Sequence, residues 1–248
     1  MNRVIGAVAA TFIAMGSLAL TPGTASAWCV PNRGSYPQDL WTGWLRSGIY
    51  PGQQVSIQAG VREYWPYVSN TSVVSAWTML DDTTGNHNYA QIGWWAPDKN
   101  NEHFAVCQSK CMFIEISSNG VSTHIDRHDL LQPTDATTYY LTSYLPASQT
   151  MVFYYNGNLL WQSYAISWAP NRFNALAETH NYADQMPGAV QSHHYFYNSQ
   201  YYDGSQWRDL NWDGQVTPYN SNSYYFGAAE VPDVHHNVEV WDGGCPGT

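Results

Sequence analysis

The chain is short of positive charge: nine Lys and Arg side chains stand against nineteen Asp and Glu in 248 residues, for a formal net charge of −10 with neutral histidines. Nucleic acid is therefore excluded as an expected partner, since binding a polyphosphate backbone draws on clustered cations. Charge blocks, low-complexity tracts and internal repeats are missing as well, which removes solenoid and disordered-tail architectures. Helical periodicity is nearly absent, and the one stretch that reads as a helical turn lies near Asp39–Ser47. No Gly-x-Ser-x-Gly elbow marks a serine nucleophile. Past the first residues no apolar run approaches the ~20 residues of a membrane-spanning helix, so no membrane partner is expected.

What the chain does have begins at its start. Arg3, an apolar run from Val4 to Leu20 and the small-residue ending Ala25-Ser26-Ala27 read as a secretory signal peptide over residues 1–27, cleaved before Trp28. The remainder, 28–248, is expected to be one secreted, extracellular domain and a monomer, its net charge about −11 once Arg3 is gone. Such an acidic composition is compatible with work at low pH. In an exported chain four cysteines read as disulfides. Of the three possible connectivities the favoured one clips Cys107 to Cys111 locally and ties Cys29 to Cys245 at the two ends. A metal site is not expected, because Cys-x-x-x-Cys lacks a second ligand pair at zinc-like spacing. The adjacent pairs His193-His194 and His235-His236 would point to opposite faces of a strand. No cofactor is expected.

Aromatics make up 15% of the residues, with nineteen Tyr and twelve Trp, and such side chains suit a pleated, half-buried surface. Alternation marks strands at 54–59, 72–79 and 112–116. The segment 151–163 reads as a hairpin around Asn156-Gly157, whose residues favour the positive φ angles of a type I′ turn. Short strands at this spacing predict an all-β, antiparallel two-sheet β-sandwich.

Two further strands carry the candidate site. Over Tyr89–Trp95 the two-residue period puts Tyr89, Gln91, Gly93 and Trp95 on one face and Trp94 on the other; over Phe173–His180 it groups Asn174, Leu176, Glu178 and His180. Gly93 would leave room for a ligand backbone, or mark a bulge. A glutamate among indole and phenol rings is partly desolvated, which raises its pKa and suits a general base in mild acid.

Ala90-Gln91-Ile92-Gly93-Trp94, the cysteine pair at 107 and 111, and Ala177-Glu178 followed by Gln185-Met186-Pro187-Gly188 together resemble the neprosin-type domain of secreted glutamic peptidases, a family related in fold to the eqolisins. The resemblance covers roughly Ser72 to Gly188. It implies a concanavalin- or eqolisin-like sandwich and a catalytic dyad in which Glu178 deprotonates water while the Gln91 amide holds the oxyanion. Neprosins carry glutamate where this chain has Gln91, so the implied pair is of the eqolisin kind. Tyr89, Trp94, Trp95, His180 and Gln185 are then candidate substrate-binding neighbours, and the substrate is an extended peptide or protein. The competing expectation is a non-catalytic, lectin-like sandwich that stacks glycans on its aromatic face. A retaining glycosidase fits less well, because it requires two carboxylates about 5 Å apart, and Glu178 has no obvious carboxylate partner on the Gln91 strand.

Overall fold

The computed structural model describes residues 29–48, 53–62, 64–107, 110–127, 137–211, 216–231 and 237–245. The expected signal peptide and His235-His236 lie outside the described residues. In chain order the strands are β1 (Pro37–Ser47), β2 (Val55–Arg62), β3 (Val73–Asp82), β4 (Asn88–Pro97), β5 (Cys111–Ser118), β6 (Val121–Arg127), β7 (Thr137–Leu145) and β8 (Thr150–Tyr155). There follow β9 (Asn158–Gln162), β10 (Arg172–Asn181), β11 (Gly188–Ala189), β12 (Ser192–Tyr202), β13 (Trp207–Asp209), β14 (Val216–Asn220), β15 (Phe226–Glu230) and β16 (Val238–Asp242). A single helical turn, α1 (Phe104–Cys107), precedes β5.

They form two sheets, β14-β1-β10-β3-β4-β5-β6 and β15-β16-β11-β12-β2-β7-β8-β9, with β13 added beside β12. Pairing is antiparallel except for a parallel bridge between β11 and β16. The architecture is the expected all-β sandwich. Its core is the set of alternate residues that face inward from both sheets, among them Leu40, Ile57, Val61, Leu80, Ile92, Trp94, Tyr140, Phe153, Phe173 and Phe196. The hairpin at 151–163 forms as read, with Asn156 and Gly157 both at positive φ.

Asp39–Ser47 is not a helical turn: it lies within β1, paired with β10 on one side and β14 on the other. Leu40, Trp41, Trp44 and Leu45 mimic a helical spacing in the sequence. In the fold, Leu40 and Trp44 enter the core while Trp41 and Leu45 pack on the opposite face. Two ladders of backbone hydrogen bonds override the weak local preference. Gly43 is required there, because a Cβ would sit 2.3 Å from the Ala175 carbonyl oxygen.

Both favoured disulfides, Cys29–Cys245 and Cys107–Cys111, are present. The second lies beneath Trp95, whose indole N–H points at both sulfurs at 3.3 Å. It anchors α1 over the outer face of the seven-stranded sheet, where Val73, Trp77, Trp95, Phe113 and Leu176 form a second, smaller apolar cluster.

Candidate functional site

Glu178 projects from β10 onto that outer face, as strand parity requires, since its neighbours Phe173, Ala175 and Ala177 fill the core. Directly opposite it stand Trp41 on β1 and Ser75 on β3. Each flanking strand supplies an indole. Trp41 Nε1 donates to Oε1 at 2.7 Å, and Trp77 Nε1 donates to Oε2 at 3.1 Å. Ser75 Oγ lies 3.5 Å from Oε2. The Glu178 side chain is only 12% exposed. Burial pushes its carboxyl above the usual range, opposed by the His180 charge and by the two indole donors.

His180, two residues on, shares the face and opens the site toward solvent. Its Nε2 lies 3.5 Å from Glu178 Oε1 and its Nδ1 lies 3.0 Å from Asp39 Oδ1. Asp39 is 55% and His180 38% exposed, so the three side chains step from solvent to the buried carboxylate. Burial opposes charging His180, but Glu178 and Asp39 together outweigh it and hold the imidazole up at about 9. The same contact holds the Asp39 carboxyl below its usual value. One ligand atom from each of Asp39, Glu178 and His180 lies within 4.8 Å of the others. The imidazole edge itself spans the gap between the carboxylates, one nitrogen toward each, and this is the geometry of an ion-paired imidazolium.

Gln91 shares the face but not the neighbourhood. Its ladder partners are Met79 and Glu115, and Met79 pairs in turn with Asn174. Gln91 therefore lies level with Asn174, four residues along from Glu178 and two strands away, about 16 Å between Cα atoms at standard strand spacings. The row between them holds Leu176, Trp77 and Gly93. The Gln91 amide donates to Glu115 Oε2 at 2.9 Å, and the Tyr89 hydroxyl donates to Glu115 Oε1 at 2.8 Å. His124 Nδ1 stands 3.9 Å from the same carboxylate. Burial raises the Tyr89 phenol first, with Glu115 and Glu178 both adding to it, so the two polar clusters share one electrostatic field. The structure thus places Gln91 and Glu178 on one surface without bringing them into contact.

The other candidates separate. Trp94 is fully buried between the sheets and donates its indole N–H to the Arg62 carbonyl. Trp95 is 7% exposed, packed against Phe113, His103 and His124. Gln185 is wholly buried: its Oε1 accepts from the backbone N–H of Cys29 and Tyr67, and its Nε2 donates to Tyr64 Oη. It fastens the 181–188 loop from within. Asp184 beside it accepts from Ser69, Ser72 and the Asn181 N–H. Gly93 leaves no vacant space, since a Cβ there would meet the Ala76 carbonyl oxygen at 2.1 Å.

Trp41, Trp77, Asp39 and Glu115 were not singled out by the sequence. Glu115 carried a legible signal, as the one charged residue in the otherwise apolar or hydroxylic strand β5. Asp39 was hidden by the helical reading of its segment.

Scytalido-glutamic peptidase, solved with a peptide-based transition-state analogue, is similar to this chain with a TM-score of 0.54 at 10% identity, over 84% of this chain and 100% of that one. SCP-B, a member of the eqolisin family of peptidases in complex with the tripeptide Ala-Ile-His, has a TM-score of 0.50 at 11% identity over the same shares. Likeness at this identity is a likeness of fold, here the eqolisin-like sandwich. No family model matches the sequence, and the search of curated proteins gave no match.

Proposed function

We propose that this chain is a secreted peptide hydrolase in which Glu178 is the general base that activates water. The observation that carries the reading is the Glu178 carboxylate, buried on a sheet face and held by an indole N–H from each flanking strand. A surface carboxylate has no reason to be so enclosed, and a carboxyl raised by desolvation is the form of base suited to mild acid. The eqolisin-like fold supports the same class of chemistry.

An extended peptide would lie across the outer face of the seven-stranded sheet. The bond to be cleaved sits at Glu178, and another part of the chain reaches the Tyr89, Gln91 and Glu115 cluster. In this reading Gln91 binds substrate away from the reacting carbonyl, because its amide is committed to Glu115. Cleavage of denatured protein at mildly acidic pH tests it. Glu178→Gln is expected to lower kcat about 10²–10⁴-fold, the range for removal of a general base. Gln91→Ala is expected to raise KM more than it lowers kcat. Undiminished cleavage by Glu178→Gln would end the proposal.

A further inference from the structure

We infer that His180, held by Asp39, is the electrophilic partner of Glu178: its Nε2–H binds the carbonyl oxygen that becomes the oxyanion. This rests on Glu178 being the base, and it assigns the role left open by the Gln91 amide, which is committed to Glu115.

Glu178 Oε1 and His180 Nε2 are 3.5 Å apart, so a water held by the carboxylate and a carbonyl oxygen held by the imidazole would be neighbours in one site. The carbonyl carbon then lies between nucleophile and donor. Exposure supports the order of the groups: His180 and Asp39 form the open side, and the Glu178 carboxylate forms the floor. Asp39 faces the other imidazole nitrogen at 3.0 Å, which fixes the ring and directs Nε2–H to the Glu178 side, where its 3.5 Å contact with the carboxylate gives way to the carbonyl oxygen. Asp39 is a positioning residue in this scheme.

The charges that act on His180 come from three elements: Asp39 on β1, Glu178 on its own strand and Asp184 in the following loop. All are carboxylates, and all favour the imidazolium. A fixed cation next to the developing oxyanion supplies what a neutral amide would supply more weakly.

The step balances. Water gives one proton to Glu178 as its oxygen bonds to the carbonyl carbon, and the C=O π electrons move onto oxygen opposite His180 Nε2–H. Collapse of the intermediate breaks the C–N bond, and the protonated Glu178 returns its proton to the leaving nitrogen. His180 keeps its proton throughout.

Three variants and one ligand test this. His180→Asn should lower kcat about 10²–10³-fold, the loss typical of an oxyanion donor, with KM nearly unchanged. It should also erase the alkaline limb of the pH profile, which is expected near pH 9 in the wild type. Asp39→Asn, which removes one of the carboxylates that orient and charge the ring, should lower kcat less than His180→Asn does and move that limb to lower pH. A merely structural histidine would leave the limb in place. A peptide phosphonate, an anionic tetrahedral mimic, should bind His180→Asn at least 30-fold more weakly than wild type at pH 5. Equal phosphonate binding, or no binding by wild type, would overturn the inference without reference to turnover. An active His180→Asn beside an inactive Glu178→Gln would overturn this inference alone, whereas an active Glu178→Gln would remove the peptidase reading beneath it.

Discussion

Trp41 donates its indole N–H to Glu178 Oε1 at 2.7 Å, and the two residues are direct ladder partners across β1 and β10. With Trp77 on the other side, the carboxylate is gripped from both flanking strands. Trp41→Phe keeps most of the apolar area but leaves a buried acceptor short of a donor, a loss of about 1–3 kcal/mol. Because that donor stabilises the ionised form, its removal should also raise the Glu178 carboxyl further. Urea unfolding checks the first effect. The acid limb of the pH–activity profile, displaced to higher pH, checks the second.

Stability should fall on the alkaline side through His180. Its folded-state value, about 9, is above the ordinary 6.5, so the stabilisation is complete below pH 6.5 and disappears as pH rises through about 9. Glu178, also raised, acts in the same direction from its own ordinary value of 4.5 upward. Thermal melts of wild type should decline between pH 6.5 and 9. His180→Asn should flatten that decline.

His194 should limit stability on the acid side. It is fully buried, edge-on to Tyr64, Trp94 and Phe196, and neither ring nitrogen finds a hydrogen-bond partner. Burial, aided by the Arg62 and Lys110 charges, depresses it to about 3. The unfolded chain therefore binds a proton that the folded one refuses, and stability is lost as pH falls from 6.5 toward 3. His194→Phe, apolar in an apolar box, should hold its melting temperature through that window while wild type loses it.

Gln185 separates a structural role from the substrate-binding role that the sequence suggested. It joins three partners around the base of the loop, so Gln185→Ala should cost about 1–3 kcal/mol by removing those hydrogen bonds. Denaturant midpoints should shift. KM for peptide should not change in the fraction that remains folded.

The sandwich was legible because its strands alternate cleanly and its turns carry Asn-Gly, and the face of Glu178 followed from parity alone. Register was not legible. Nothing in the one-dimensional sequence says that Gln91 lies level with Asn174 instead of Glu178, because that offset is fixed by how β3 pairs with both of its neighbours. Trp41 and Asp39 were lost for a related reason. Their segment mimics a helical spacing, and only its insertion between β14 and β10 makes it a strand. Gln185 and Met186, on which part of the sequence resemblance rested, are buried in the anchoring of a loop and do not touch the site.

The most direct measurement is cleavage of an unfolded peptide library at pH 4–6 by wild type and Glu178→Gln, with fragments read by mass spectrometry and both proteins shown to melt cooperatively. The account predicts cleavage by wild type and a loss of about 10²–10⁴-fold in the variant. Equal cleavage by the two proteins, or none by wild type, would contradict it.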